Sequence, residues 1–190
     1  QNEIDWQKVR EAGVEFAVIR LGFRGYDSGE LVMDEKFTAN IEGAKAAGIQ
    51  VGVYFFSSAV TEEEAVEEAD FVLQAIAPYE IELPVVFDTE PVLAEGARNE
   101  AMTPNQTTAF ATAFLDRIQE SGHRAMIYAN AKRLTTVLHL EQLQEYPLWY
   151  ADYQEKPIYP YNYEMWQYTE EGNVPGVEGN VDLNLWFIGK

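Results

Sequence analysis

Cysteine is absent from this chain, so neither disulfides nor thiol chemistry can contribute to its fold or function. That absence is compatible with a secreted bacterial protein. Positive charge is scarce: 13 Lys and Arg stand against 32 Asp and Glu, a formal net charge of −19. Phosphate binding needs clustered cations, so nucleic acid and anionic membrane surfaces are not expected partners. Much of the acidity falls in helical stretches such as Glu62 to Glu68, which reads as a solvated face. No apolar run approaches the length of a membrane span. No signal peptide is visible, and the sequence opens Gln1-Asn2-Glu3 without Met. Histidine is limited to His123 and His139, neither at a strand end beside acids. Any metal chemistry would therefore rest on oxygen ligands alone.

What is present is a hydrophobic content of 47% with 13% aromatics, the composition of a folded globular protein. A length of 190 residues suits one domain spanning 1–190. Strand and helix signals alternate. Asp5 can cap a short helix closed by Gly13, and residues 16–21 form a buried strand ending near Arg20. Residues 22–34 read as a Gly-rich acidic loop. A helix over 35–47, a strand over 51–56 and a helix opened by the capping box Thr61-Glu62-Glu63-Glu64 follow. Thr103-Pro104-Asn105-Gln106 opens another helix, ended by Gly122. Strands at 125–129 and 148–151 flank a weaker, broken helix at 132–144. Helical periodicity stops at about residue 145, and strands at 163–168 and 181–186 remain. Alternation of this kind implies parallel strands with crossover helices. About seven strands with polar residues at their C-terminal ends predict an α/β fold, an irregular (β/α) TIM-like barrel lacking helices in its C-terminal third. An open doubly wound sheet is disfavoured, because no strand is followed by Gly-x-Gly-x-x-Gly.

The organising stretch is Leu83-Pro84-Val85-Val86-Phe87-Asp88-Thr89-Glu90-Pro91. Its unbroken apolar run suits a strand buried on both faces. Asp88 and Glu90 lie two apart at its exit and so point to one side. Paired carboxylates that repel each other can supply a proton donor beside an anion. Strand ends would gather Arg20, Tyr54, Tyr128, Asp152, Gln167 and Asp182 around them. Trp149 and Trp166 add flat faces suited to sugar rings.

Seven segments in order carry a family resemblance. They are Ile4-Asp5-Trp6, Phe16-Ala17-Val18-Ile19-Arg20, Gly52-Val53-Tyr54-Phe55-Phe56, Phe87-Asp88-Thr89-Glu90, Leu148-Trp149-Tyr150-Ala151-Asp152-Tyr153, Met165-Trp166-Gln167-Tyr168 and Val181-Asp182-Leu183-Asn184. In that order the chain resembles glycoside hydrolase family 25, the lysozymes of bacteria, phages and some fungi. The resemblance implies a barrel that hydrolyses the β-1,4 bond from N-acetylmuramic acid to N-acetylglucosamine in peptidoglycan. It implies Glu90 as general acid, Asp88 as the carboxylate supporting the charged intermediate, and Asp182 as a further essential acid. Arg20, Tyr54, Tyr128, Trp149, Asp152, Trp166 and Gln167 become candidate substrate-binding residues. No cofactor or metal is expected. The expected partner is the glycan strand of peptidoglycan, met by a monomer outside the cell or at its wall. The family's first strand, with an Asp in a motif like Gly-Ile-Asp-Val-Ser, has no counterpart before Ile4-Asp5-Trp6.

Two other readings compete. One is a carbohydrate-binding barrel without activity. The other is a metal-dependent polysaccharide hydrolase using Asp88, Glu90, Asp152 and Asp182 as ligands. A chitinase-like barrel is disfavoured, because Val85, Val86 and Phe87 stand where such barrels carry further acids.

Overall fold

The computed structural model describes residues 3–92 and 94–187. Eight strands form one curled sheet: β1 (Phe16–Arg24), β2 (Leu31–Met33), β3 (Gln50–Phe56), β4 (Val85–Asp88), β5 (Ala125–Asn130), β6 (Leu148–Ala151), β7 (Met165–Gly172) and β8 (Val181–Trp186). Their order is β2-β1-β3-β4-β5-β6-β7-β8. The six strands from β1 to β7 in that order run parallel, and β2 and β8 pair antiparallel at the two edges. β2 is the strand that the acidic loop conceals. Its three residues, half-buried or exposed, carry too little pattern to register as a strand.

The helices are α1 (Trp6–Glu11), α2 (Phe37–Ala46), α3 (Glu62–Ile76), α4 (Pro104–Glu120) and α5 (Ala131–Thr136). Each start has a local cause. Asp5 accepts the Lys8 N–H at 3.2 Å, and Thr103 and Gln106 form a complete capping box. The Thr61 box is only half made. Thr61 accepts from Glu64 N, but the Glu64 carboxylate turns to Val60 N at 2.9 Å and to Arg98. The expected helix at 132–144 is split into α5 and a 3₁₀ turn at Leu140–Gln142. Beyond β6 no described residue is helical, and loops join β6, β7 and β8.

Period-two alternation sorts the strands into two faces. Val53, Phe55, Val85, Phe87, Ile127 and Tyr150 point outward into the larger core beneath the helices. Val86, Met126, Trp149 and Met165 point inward and form a smaller core with Phe16, Val18, Tyr54, Tyr128 and Trp186. This inner core is the floor on which the polar mouth stands. Gly52 belongs to the inward set by parity. A Cβ there would meet the Leu83 Cβ and the Pro84 oxygen at 2.8 Å, so glycine is what lets β4 approach.

Candidate active site

The inward parity that builds the floor also selects the side chains above it. Arg20 of β1, Tyr54 of β3, Asp88 of β4, Tyr128 of β5, Trp149 of β6 and Gln167 of β7 all line one cavity of about 830 Å³. Glu90, two residues past Asp88, joins them from just beyond the strand. Asp182 reaches the same mouth by another route. It lies near the beginning of β8, and antiparallel pairing places that beginning beside the C-terminal end of β7.

Two expected residues do not line this cavity. Asp152 has the parity of Tyr150, whose hydroxyl donates to it at 2.9 Å on the outer side of the sheet. Its carboxylate also accepts the backbone N–H groups of Gln154 and Ile158, so it anchors a loop. Trp166 has the parity opposite to Gln167 and packs against the outer core. Its indole donates to the Asp152 carbonyl at 2.8 Å. The sequence does not reveal this, because β6 is apolar on each face and hides parity.

Burial is the dominant force on the acids. It raises Asp88 well above the usual carboxylate range, and the neighbouring Glu90 carboxylate raises it further. It also raises Glu90, opposed by the Arg133 guanidinium and reinforced by Asp182. The effect on Asp88 is the stronger, because Asp88 is the more deeply placed of the two and its Oδ1 has no hydrogen-bond partner. The pair therefore retains a proton to higher pH than isolated acids would, and Asp88 shares in holding it. Asp182, at the rim, is raised by partial burial and by Glu170.

The remaining side chains are fixed by one another. The Tyr128 and Tyr153 hydroxyls both donate to Gln167 Oε1, at 2.9 and 2.7 Å. This orients the amide and leaves Nε2 as the end free to meet a ligand oxygen. Arg20 is held by Asp34, with Nε and Nη2 at 2.7 and 2.6 Å from Oδ2. Asp34 is a partner the sequence concealed, lying at the end of β2. Trp149 is 5% exposed, packs edge-on to Tyr54 and Tyr128, and donates to Asn184 Oδ1 at 2.8 Å. It braces the floor and offers no open face. Trp149→Phe, which removes the donor to Asn184 Oδ1, is expected to cost about 1–3 kcal/mol in denaturant unfolding. Full stability would mean that Asn184 finds another donor.

No group of three or more His, Asp or Glu among the described residues is arranged to hold a metal ion. No described helix is long and apolar enough to cross a membrane.

Comparison with known proteins agrees with this geometry. The model of the glycosyl hydrolases family 25 matches residues 1–177. An autolytic lysozyme of Clostridium acetobutylicum is 25% identical over 190 residues, covering 100% of this chain and 54% of its own length. The chain thus spans about half of that relative. A bacterial lysozyme from Streptomyces coelicolor superposes with a TM-score of 0.78 at 27% identity, covering 98% of this chain and 87% of that one. The modular autolysin LytC from Streptococcus pneumoniae, solved with a synthetic peptidoglycan ligand, gives 0.81 at 25% identity, covering 96% of this chain and 43% of that one.

Proposed function

The chain belongs to glycosyl hydrolase family 25, and from that premise we propose that residues 1–190 form one catalytic barrel that cleaves peptidoglycan. The bond cut is the β-1,4 link from N-acetylmuramic acid to N-acetylglucosamine. The observation that carries this reading is the convergence of Asp88, Glu90 and Asp182 on one mouth, with burial raising the first two.

Glycoside cleavage needs an acid at the leaving oxygen and a negative group near the anomeric carbon. Glu90 is the acid: it is the more accessible of the pair, and burial raises its pKa in the direction a proton donor needs. Asp88 sits two residues away on the same side, too close to Glu90 to face it across a sugar ring. This favours substrate assistance, an established exception to the two-carboxylate scheme. The 2-acetamido oxygen attacks the anomeric carbon while Glu90 gives its proton to the departing oxygen. Asp88 takes the acetamido N–H on its unpartnered Oδ1, which favours its ionised form as the ring nitrogen becomes positive. Asp182 adds negative charge from the opposite rim. Water, activated by the now ionised Glu90, then opens the cyclic intermediate with overall retention.

Purified peptidoglycan tests this directly. New muramic acid reducing ends in the retained anomeric form are expected. Binding without new ends would instead support a carbohydrate-binding barrel, and an inverted product would reject substrate assistance. The enzyme acts as a monomer on glycan strands outside the cell or at its wall, without nucleic acid or membrane as partner.

The pH profile follows from the same charges. Activity needs Glu90 protonated, so kcat/KM falls as pH rises through its raised pKa. Asp182 helps raise that pKa, so Asp182→Asn is expected to move the alkaline limb of the residual activity to lower pH. A limb that stays in place, or moves to higher pH, would detach Asp182 from Glu90.

A further inference from the structure

Glu90 lines two cavities. The second, of about 600 Å³, lies beyond it and is walled by the segment after β4 and by residues of α4 and α5. Arg133 faces it from the first turn of α5, held there by the Asn130 side chain, which accepts the Arg133 N–H at 3.1 Å. The Arg133 side chain makes no ion pair and no hydrogen bond among the described residues, although the residue is only 8% exposed and its Nε is fully buried. Asp88 and Glu90 act on it only through space. A guanidinium whose Nε is buried without an acceptor is costly, and it has donors alone to offer. Asn99 lines the same cavity, and its buried Oδ1 is an acceptor without a donor. Glu95 and Glu100 stand at the exposed outer rim, where water screens them.

A cation seeking oxygen acceptors and a carbonyl seeking an N–H, set in one cavity, are complementary to an acyl group with an adjoining amide. Both sugars at the scissile bond carry an acetamido group of that kind, but only N-acetylmuramic acid adds a lactyl ether, whose acyl group can also bear the negative charge that a guanidinium pairs with. We propose that this cavity seats the lactyl side chain of the muramyl residue, with Arg133 holding its carboxylate or carbonyl oxygen and Asn99 accepting from the first peptide N–H. This assignment rests on the muramidase reading above. It explains how a shared wall at Glu90 links recognition of one sugar to cleavage at that sugar.

The test compares wild type, Arg133→Gln and Arg133→Lys on three glycans: strands with stem peptides, peptide-free strands with a free lactyl carboxylate, and N-acetylglucosamine oligomers without lactyl groups. Arg133→Gln is expected to raise KM about tenfold or more on the lactyl-bearing strands, with kcat little changed, since charge-assisted hydrogen bonds are lost. Arg133→Lys should recover part of this. Affinity for the lactyl-free oligomers, read by calorimetry, should not change. A larger factor on peptide-free strands assigns the free carboxylate, and a larger one on peptide-bearing strands assigns the stem. Asn99→Ala, altered in a loop, gives a second reading should Arg133→Gln fail to fold: it should weaken binding of peptide-bearing strands alone. Equal losses on all three glycans, unchanged KM, or a kcat loss larger than the KM effect would overturn the proposal. If wild type binds lactyl-bearing strands without cutting them, the muramidase reading fails, while the Arg133 effect on that affinity still decides the subsite.

Discussion

Replacing Glu90 by Gln is expected to lower turnover on peptidoglycan by about 10³-fold or more while glycan affinity stays near that of wild type. The amide keeps the shape of the side chain but has no proton to give the leaving oxygen. A loss of this size corresponds to about 4 kcal/mol of transition-state stabilisation. Binding survives because Arg20, Gln167 and the other residues of the mouth do not depend on Glu90 for their positions. Asp88→Asn separates the roles further. It should slow the attack of the acetamido oxygen without removing the acid, so substrates with good leaving groups remain poor. The measurements are single-turnover rates and equilibrium binding on one soluble glycan. Near-normal turnover by Glu90→Gln would end the assignment of roles, and a trapped sugar on Asp88 or Asp182 would replace substrate assistance by direct attack.

The second large effect concerns stability and lies away from the mouth. Arg24, at the end of β1, is 4% exposed and bonds Glu68 of α3 through Nε at 2.8 Å. It also meets Glu67 at 2.7 Å and the carbonyls of Gly29 and Glu64. Glu68 is wholly buried. Arg24→Ala strips that carboxyl of its counter-ion and is expected to cost about 3–5 kcal/mol in denaturant unfolding at neutral pH. Burial already raises Glu68 to about 7 in spite of Arg24. A carboxyl whose folded pKa exceeds its unfolded one binds its proton more tightly when folded. It therefore favours folding fully below the unfolded pKa, and that contribution is lost as pH rises through about 7. Without Arg24 the folded pKa rises further, so the cost of Arg24→Ala should be smaller at pH 5 than at pH 8. Glu68→Gln should abolish most of this pH dependence. Equal costs at both pH values would mean that Glu68 stays ionised through its other neighbours.

The fold was legible where local chemistry was strong. The Thr103-Pro104-Asn105-Gln106 start, the buried run before Asp88 and the loss of helical periodicity after residue 145 each predicted an observed feature. Where two faces were equally apolar, the sequence was silent about which residues point inward. Trp149 and Gln167 share strand ends with Asp152 and Trp166, yet parity turns the first pair into the mouth and the second away from it. Partners brought by tertiary contact were also hidden. Asp34 reads as the end of an acidic loop, and Arg133 follows Lys132 in what resembles a solvated helix. Only the packing of α5 over β5 turns that side chain inward. The half-made cap at Thr61 has the same origin, since Glu64 is drawn off by Arg98 from a distant loop.

The reversed direction of β8 also decides how the molecule can be attached to a surface. Trp186 pairs with Met165 at the start of β7 and meets the Phe16 ring at the start of β1, so the strand finishes at the end of the barrel opposite the mouth. A tether joined at Phe187 would leave from that far side. Protein immobilised through such a tether would present its opening outward, toward an insoluble and immobile polymer. A tether in the segment after β4 would instead sit against the opening and block it.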